Sequence, residues 1–195
     1  MEVLIGCEFS GVVRDAFIEA GHDAISCDLL PTDSPGPHYQ GDIFDLIDYP
    51  WDLAIFHYPC THTAVSGSRH FKTKRFDGRQ YCAVSTIMRA VRATEHIPKT
   101  VFEQPISIMS SKWRKPDQII QPWQFGHGET KATCLWLKGL PDLEPTNIVE
   151  GREDRIHKMP PSEDRWKLRS TTYEGIARAM ASQWGQDKST ETAAV

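Results

Sequence analysis

Four short apolar runs, each ending on a polar residue able to do chemistry, constrain this chain more than any other feature. Residues 2–7 are rich in Val, Leu and Ile and break at Glu8-Phe9-Ser10-Gly11, after which Val12, Val13, Ala16, Phe17 and Ala20 recur at helical spacing. Gly21 closes that helix, and residues 23–27 form a second run that stops at Asp28, before Pro31, Pro35, Gly36 and Pro37 force a loop. Residues 53–57 stop at Tyr58-Pro59-Cys60, and residues 99–103 end in Glu103-Gln104-Pro105. Strands alternating with helices predict an α/β fold with a mainly parallel sheet covered by helices on both faces, whose ligands lie outside the carboxyl ends of the strands. The four polar ends then line one edge.

Between these runs, Asp42 in Gly41-Asp42-Ile43 heads a short helix, and residues 61–79 are polar and basic, long enough for a lid or binding loop. Ala83, Ile87, Ala90, Val91 and Thr94 predict a helix over 80–96, residues 133–137 a later strand, and residues 173–184 a closing helix. Residues 1–185 suffice for one catalytic domain, and 186–195 read as a disordered tail. No apolar stretch approaches the roughly 20 residues of a membrane span and the start carries no basic leader, which predicts a cytoplasmic chain without a membrane partner. The five cysteines form no C-x-x-C pair, which argues against a disulfide framework or a zinc ribbon.

Charge is divided unevenly. Residues 1–60 carry eleven acidic side chains against one basic, Arg14, whereas residues 61–185 carry twenty basic against thirteen acidic. The second part suits an anion, with phosphate the commonest, while the first repels a polyanion. In the first part, a Gly-bearing turn (Glu8, Phe9, Ser10, Gly11) and an acid ending the second strand (Asp28) have the layout of a nucleoside-cofactor site, with Asp42 placed for an adenine amino group. A lone Gly and the adjacent Glu8 disfavour a pyrophosphate relative to a cofactor carrying a sulfonium and an amino group.

Three features in order, Phe9-Ser10-Gly11, Pro59-Cys60 and Glu103-Gln104-Pro105, resemble the F-x-G, P-P-C and E-N-V motifs of the cytosine carbon-5 methyltransferases over roughly the first 105 residues. The chain is also similar to small phage-encoded relatives of that family. The resemblance implies a Rossmann-like methyltransferase that uses S-adenosyl-L-methionine and acts on DNA, with Cys60 and Glu103 catalytic. Glu8, Phe9, Ser10, Gly11, Asp28, Asp42, His57 and Pro59 would line the cofactor. Tyr58, Gln104 and Pro105 depart from the family pattern at base-orienting positions. The family's target-recognition domain has no space before the final helix, and no Q-x-R-x-R motif is present; Arg152 and Arg155 are the nearest substitutes, with Arg165 and Arg169 behind them.

The chemistry explains the residue types. Carbon 5 of a pyrimidine is a poor nucleophile until a thiolate adds to carbon 6, and cysteine suits that covalent step. A free thiol has a pKa near 8.5, so the cations Arg69, His70, Lys72, Lys74 and Arg75 of the following loop are expected to activate it. Glu103 suits the nitrogen 3 and amino group of cytosine. Arg69, His70, Lys72 and Arg75, interleaved with Phe71 and Phe76, are the expected grip on substrate phosphates, joined by Arg152 and Arg155. Three alternatives stay open: a free cytosine nucleotide as substrate, a metal site from His57, Cys60, His62 and His70, and a binding protein that has lost turnover. A homodimer is a further possibility, supplying the missing recognition surface.

Overall fold

A computed structural model of the chain describes residues 1–186; the rest of the expected tail lies outside the described residues. In chain order the elements are β1 (Glu2–Gly6), α1 (Val12–Glu19), β2 (Asp23–Asp28), β3 (His38–Gln40), β4 (Leu53–Phe56), α2 (Phe71–Phe76), α3 (Arg79–Ala93), β5 (Lys99–Pro105), α4 (Met109–Lys112), β6 (Gln118–Ile120), β7 (Thr133–Lys138), α5 (Arg155–Lys158), α6 (Arg165–Ser170) and α7 (Glu174–Trp184). The strands form one sheet ordered β3-β2-β1-β4-β5-β7-β6. Pairing is parallel from β3 to β5, and β7 runs antiparallel to both β5 and β6. The α/β, mostly parallel architecture expected from the alternating runs is therefore present and compatible with a Rossmann-like fold. The order reverses between β1 and β4, and that is where such sheets open a crevice.

Alternation along each strand divides the core. Val3, Ile5, Leu53 and Ile55 point to one face, where they meet Phe17 of α1 and Ile176, Met180 and Trp184 of α7. Leu4, Ala54, Phe56 and Phe102 point to the other, against Ile87 and Ala90 of α3 and against Trp136. Because both faces are covered, the strands read as continuous apolar runs.

β3 and β6 are only three residues long, too short to show a period of two, and each exists through the neighbour it pairs with. Residues 61–79, expected as a loop, are largely helical: a 3₁₀ turn over Val65–His70 leads into α2. Lys74 explains the ordering, since its ammonium turns inward, is buried, and donates to the Thr61 carbonyl. Gln80 likewise donates to the His62 carbonyl at 3.3 Å. Among the described residues no helix is long and apolar enough to cross a membrane.

Candidate active site

The crevice at the β1/β4 reversal begins with Cys7, the one described non-glycine residue in the left-handed region, at φ 59°. Glu8 follows and is almost completely buried. Its carboxylate accepts the N–H groups of Val13 (2.7 Å) and Arg14 (3.2 Å) and the Ser10 hydroxyl (3.2 Å). The amino end of α1 thus has a built-in anion, and the place a pyrophosphate takes in dinucleotide-binding folds is filled. Gly11, at φ 76°, makes the turn into α1, and a Cβ there would run into the Arg14 guanidinium.

Asp28 ends β2 with Oδ1 accepting the Leu30 N–H at 3.0 Å, and Asp42 caps a 3₁₀ turn through the Phe44 N–H at 3.1 Å. Both carboxylates act on the Cys7 thiol, which burial first and then their charge push well above its ordinary value. Glu8, Asp28 and Asp42 are therefore grouped around the ends of β1 and β2. Phe9 packs its ring 5.4 Å from Trp166 of α6, and Lys167 reaches Asp33 at 2.7 Å, so α6 closes this side of the crevice.

The edge that carries Cys60 and Glu103 is built by β4, β5 and the approach to β7. The His57 N–H extends the β1–β4 ladder by donating to the Gly6 carbonyl at 2.9 Å. Its side chain, 9% exposed, places Nδ1 3.3 Å from Oε2 of Glu103, which is 19% exposed. Tyr58, at the proline position of the nucleophile motif, is buried with its ring nearly parallel to Phe102, 6.2 Å away. Gln104, where the motif has asparagine, donates its amide to the Tyr58 carbonyl and accepts the Thr63 hydroxyl at 2.8 Å. Its amide holds the chain on both sides of Cys60.

Lys131 is the cation of this edge. It lines a cavity of about 10 Å³, room for about one water, with His57, Glu103, Thr133, Thr172, Tyr173, Ile176 and Met180. Its ammonium donates to the Thr171 carbonyl at 3.3 Å and lies 5.7 Å from the Tyr173 ring. Burial lowers its proton affinity, against the opposing charges of Glu103 and Cys60. Burial also pushes the Cys60 thiol up, and Glu103 adds to that shift; Lys131 and Arg169 oppose it without reversing it. For Glu103, burial acts upward, but the His57 hydrogen bond and the charges of His57 and Lys131 prevail and hold the carboxyl below its ordinary range.

That depression has a testable sign. Stability contributed by ionised Glu103 is fully present above the unfolded glutamate pKa of about 4.3 and is lost as pH falls through the lower folded value. The gap in unfolding free energy between wild type and Glu103→Gln should therefore narrow as urea titrations move from pH 6 toward pH 3. A gap independent of pH would contradict the Glu103 assignment.

Cys60, Glu103 and His57 are thus brought to one edge, with Pro59 exposed beside them. The phosphate-binding candidates are not gathered there. Arg69 and His70 are exposed and bonded to each other at 2.9 Å, and Lys72 and Arg75 lie on the outer face of α2. Arg152 stacks on Trp123 at 3.9 Å, and Arg155 pairs with Glu129 at 2.8 Å. Glu129 also accepts the Tyr173 hydroxyl at 2.7 Å, which is Arg155's link to the cavity wall. The cations whose charge reaches Cys60 are Lys131 and Arg169, not the 69–75 group. In the sequence Arg169 stands behind Arg152 and Arg155 as a substitute for the missing arginine motif, and Lys131, with His127 of Gly126-His127-Gly128, is a candidate to line the pocket. The four-residue metal alternative does not assemble, for among the described residues no three His, Cys, Asp or Glu side chains form a group able to hold a metal ion.

Compared with protein-family models and with curated proteins, the chain finds no match.

Proposed function

We propose that the protein is an S-adenosylmethionine-dependent methyltransferase that acts on carbon 5 of cytosine in DNA through a covalent Cys60 adduct. The observation that supports this reading best is the convergence of Cys60, Glu103 and Lys131 at the carboxyl edge of β4 and β5, beside the crevice that holds Glu8, Asp28 and Asp42.

The crevice suits that cofactor. Glu8 occupies the helix terminus and so disfavours phosphate, while Asp28 and Asp42 offer carboxylates to ribose hydroxyls and to an adenine amino group. A cationic ligand also matches the acidity of residues 1–60. When bound, S-adenosylmethionine supplies an electrophilic methyl group. The remaining work falls to the chain. Cys60 rests as a thiol and must lose its proton before its sulfur adds to carbon 6. The charge of Lys131 acts on that sulfur and favours the thiolate. Glu103 holds the amino group and nitrogen 3 of the base, where negative charge builds as the C6–S bond forms.

The test offers methyl-labelled S-adenosylmethionine with duplex DNA and with free cytosine nucleotides in parallel. Cysteine-dependent label in DNA is the expected result. Label in nucleotides alone would reassign the substrate to a free nucleotide. Cofactor binding with no label in either would leave a binding protein.

A further inference from the structure

The resemblance implies a cofactor-lining place for His57, yet its side chain is bonded to Glu103. Its backbone is locked into the β1–β4 ladder, and its ring reaches across to the adjacent strand to meet Oε2 at 3.3 Å. At the far end of the ring Nε2 is buried and has no hydrogen-bond partner. A buried ring nitrogen left unpaired is uncommon in a side chain kept only for packing. The groups that face the pair are Lys131 and Thr133 from the β7 side and Tyr173 at the start of α7, with Cys60 beyond Glu103 on its own segment.

We propose that His57 is the proton reservoir behind Glu103: a positioning residue that holds the carboxylate through Nδ1 and supplies the proton that Glu103 delivers to nitrogen 3 of the base. The proposal rests on the methyltransfer reading. Cys60, its proton released to water, adds as thiolate to carbon 6, and the C5–C6 π pair shifts through the ring to nitrogen 3. The imidazolium passes its Nδ1 proton to the ionised Glu103, which relays it to nitrogen 3, leaving a neutral ring protonated on Nε2 and Glu103 ionised as before. When the addition reverses, the thiolate leaves carbon 6 and the nitrogen 3 proton returns through Glu103 to His57; after methyl transfer the thiolate leaves in the same way while the carbon 5 hydrogen is released as a proton to water. The orientation follows as well: with Oε2 engaged by His57, Oε1 is the oxygen presented to the base.

Two measurements test this on the full chain. Nitrogen NMR of the histidine rings reads where the neutral His57 carries its proton, independently of any reaction. The expected result is Nδ1 in wild type and a shift of population to Nε2 in Glu103→Gln; the same tautomer in both overturns the coupling. The second follows single-turnover exchange of the cytosine C5 hydrogen, which reports addition at carbon 6, as a function of pH. His57→Asn keeps an N–H donor for Oε2 but holds no transferable proton. At saturating cofactor and DNA it should exchange about 10²-fold more slowly, with a pH profile of altered shape and an unfolding midpoint close to that of wild type. An active wild type indifferent to His57→Asn in rate and profile overturns the His57 role alone. A wild type that binds cofactor but neither exchanges nor methylates overturns the methyltransfer reading, and the proton-supply role falls with it.

Discussion

For the proposed reaction, Cys60→Ala is expected to lower methyl transfer by ~10⁴-fold or more, because the variant has no thiolate to add to carbon 6. Cofactor affinity and unfolding midpoint should stay close to wild type. The segment is held by atoms other than the sulfur: Gln104 bonds the Tyr58 carbonyl and the Thr63 hydroxyl, and the N–H groups of Thr63 and Ala64 donate to the Cys60 carbonyl at 3.0 and 2.9 Å. Single-turnover transfer beside a calorimetric titration of the cofactor separates the two effects; a variant that transfers at even a tenth of the wild-type rate would remove Cys60 from the mechanism. The raised thiol predicts a companion result. In the unliganded chain, exposed Cys82 should alkylate before Cys60 at neutral pH, with Cys60 catching up as the pH is raised, followed peptide by peptide in a mass spectrometer.

The largest loss of stability is expected at Arg14, the one basic residue of the first sixty. Its side chain is fully buried. Nη1 donates to the hydroxyls of Ser26 and Thr32 at 3.2 Å each, Nη2 to the carbonyls of Ser34 (3.1 Å) and Pro35 (3.3 Å), and Nε to Asp15 at 2.8 Å. Arg14→Met keeps the bulk and strips these bonds; Asp15 retains the Ser34 hydroxyl and the Ser34 carbonyl retains the Thr32 hydroxyl, but the Pro35 carbonyl loses its donor and the other groups lose their charged one, at a cost of about 3 kcal/mol. The same guanidinium fastens the 32–35 segment against the Gly11 turn, so cofactor affinity should fall together with stability. Urea unfolding at constant slope reads the first effect and cofactor titration the second. A stability change under 1 kcal/mol would show that solvent or relaxation replaces the network.

Much of the architecture was legible because a strand buried on both faces must be apolar and must stop where the chain turns polar. Residues 2–7, 23–27, 53–57 and 99–103 contain β1, all but the last residue of β2, β4 and the start of β5 for that reason, and the residues following them lie along one sheet edge. Three-residue strands carry no such pattern. Nor did the sequence disclose that β7 runs antiparallel, since strand direction depends on which neighbour supplies the hydrogen bonds and leaves no period in the residues themselves.

The site divides along the same line. Cys60 and Glu103 stand out in the sequence because each follows or ends an apolar run within a motif, and local spacing is enough to place them. Spacing did not pair them with the residues that govern their protons. Lys131 is 71 positions from Cys60 and His57 is 46 from Glu103, and each pair meets through sheet pairing and packing of the 131–133 and 172–180 segments. The loop cations 69–75, adjacent in sequence to Cys60, turn outward once Lys74 takes the inward position on the Thr61 carbonyl. The sequence by itself determined the strand ends and the residue types at them, because burial writes a pattern along the chain. Only the tertiary structure decided which charges face which, because electrostatic coupling depends on distance through the folded protein rather than along the chain.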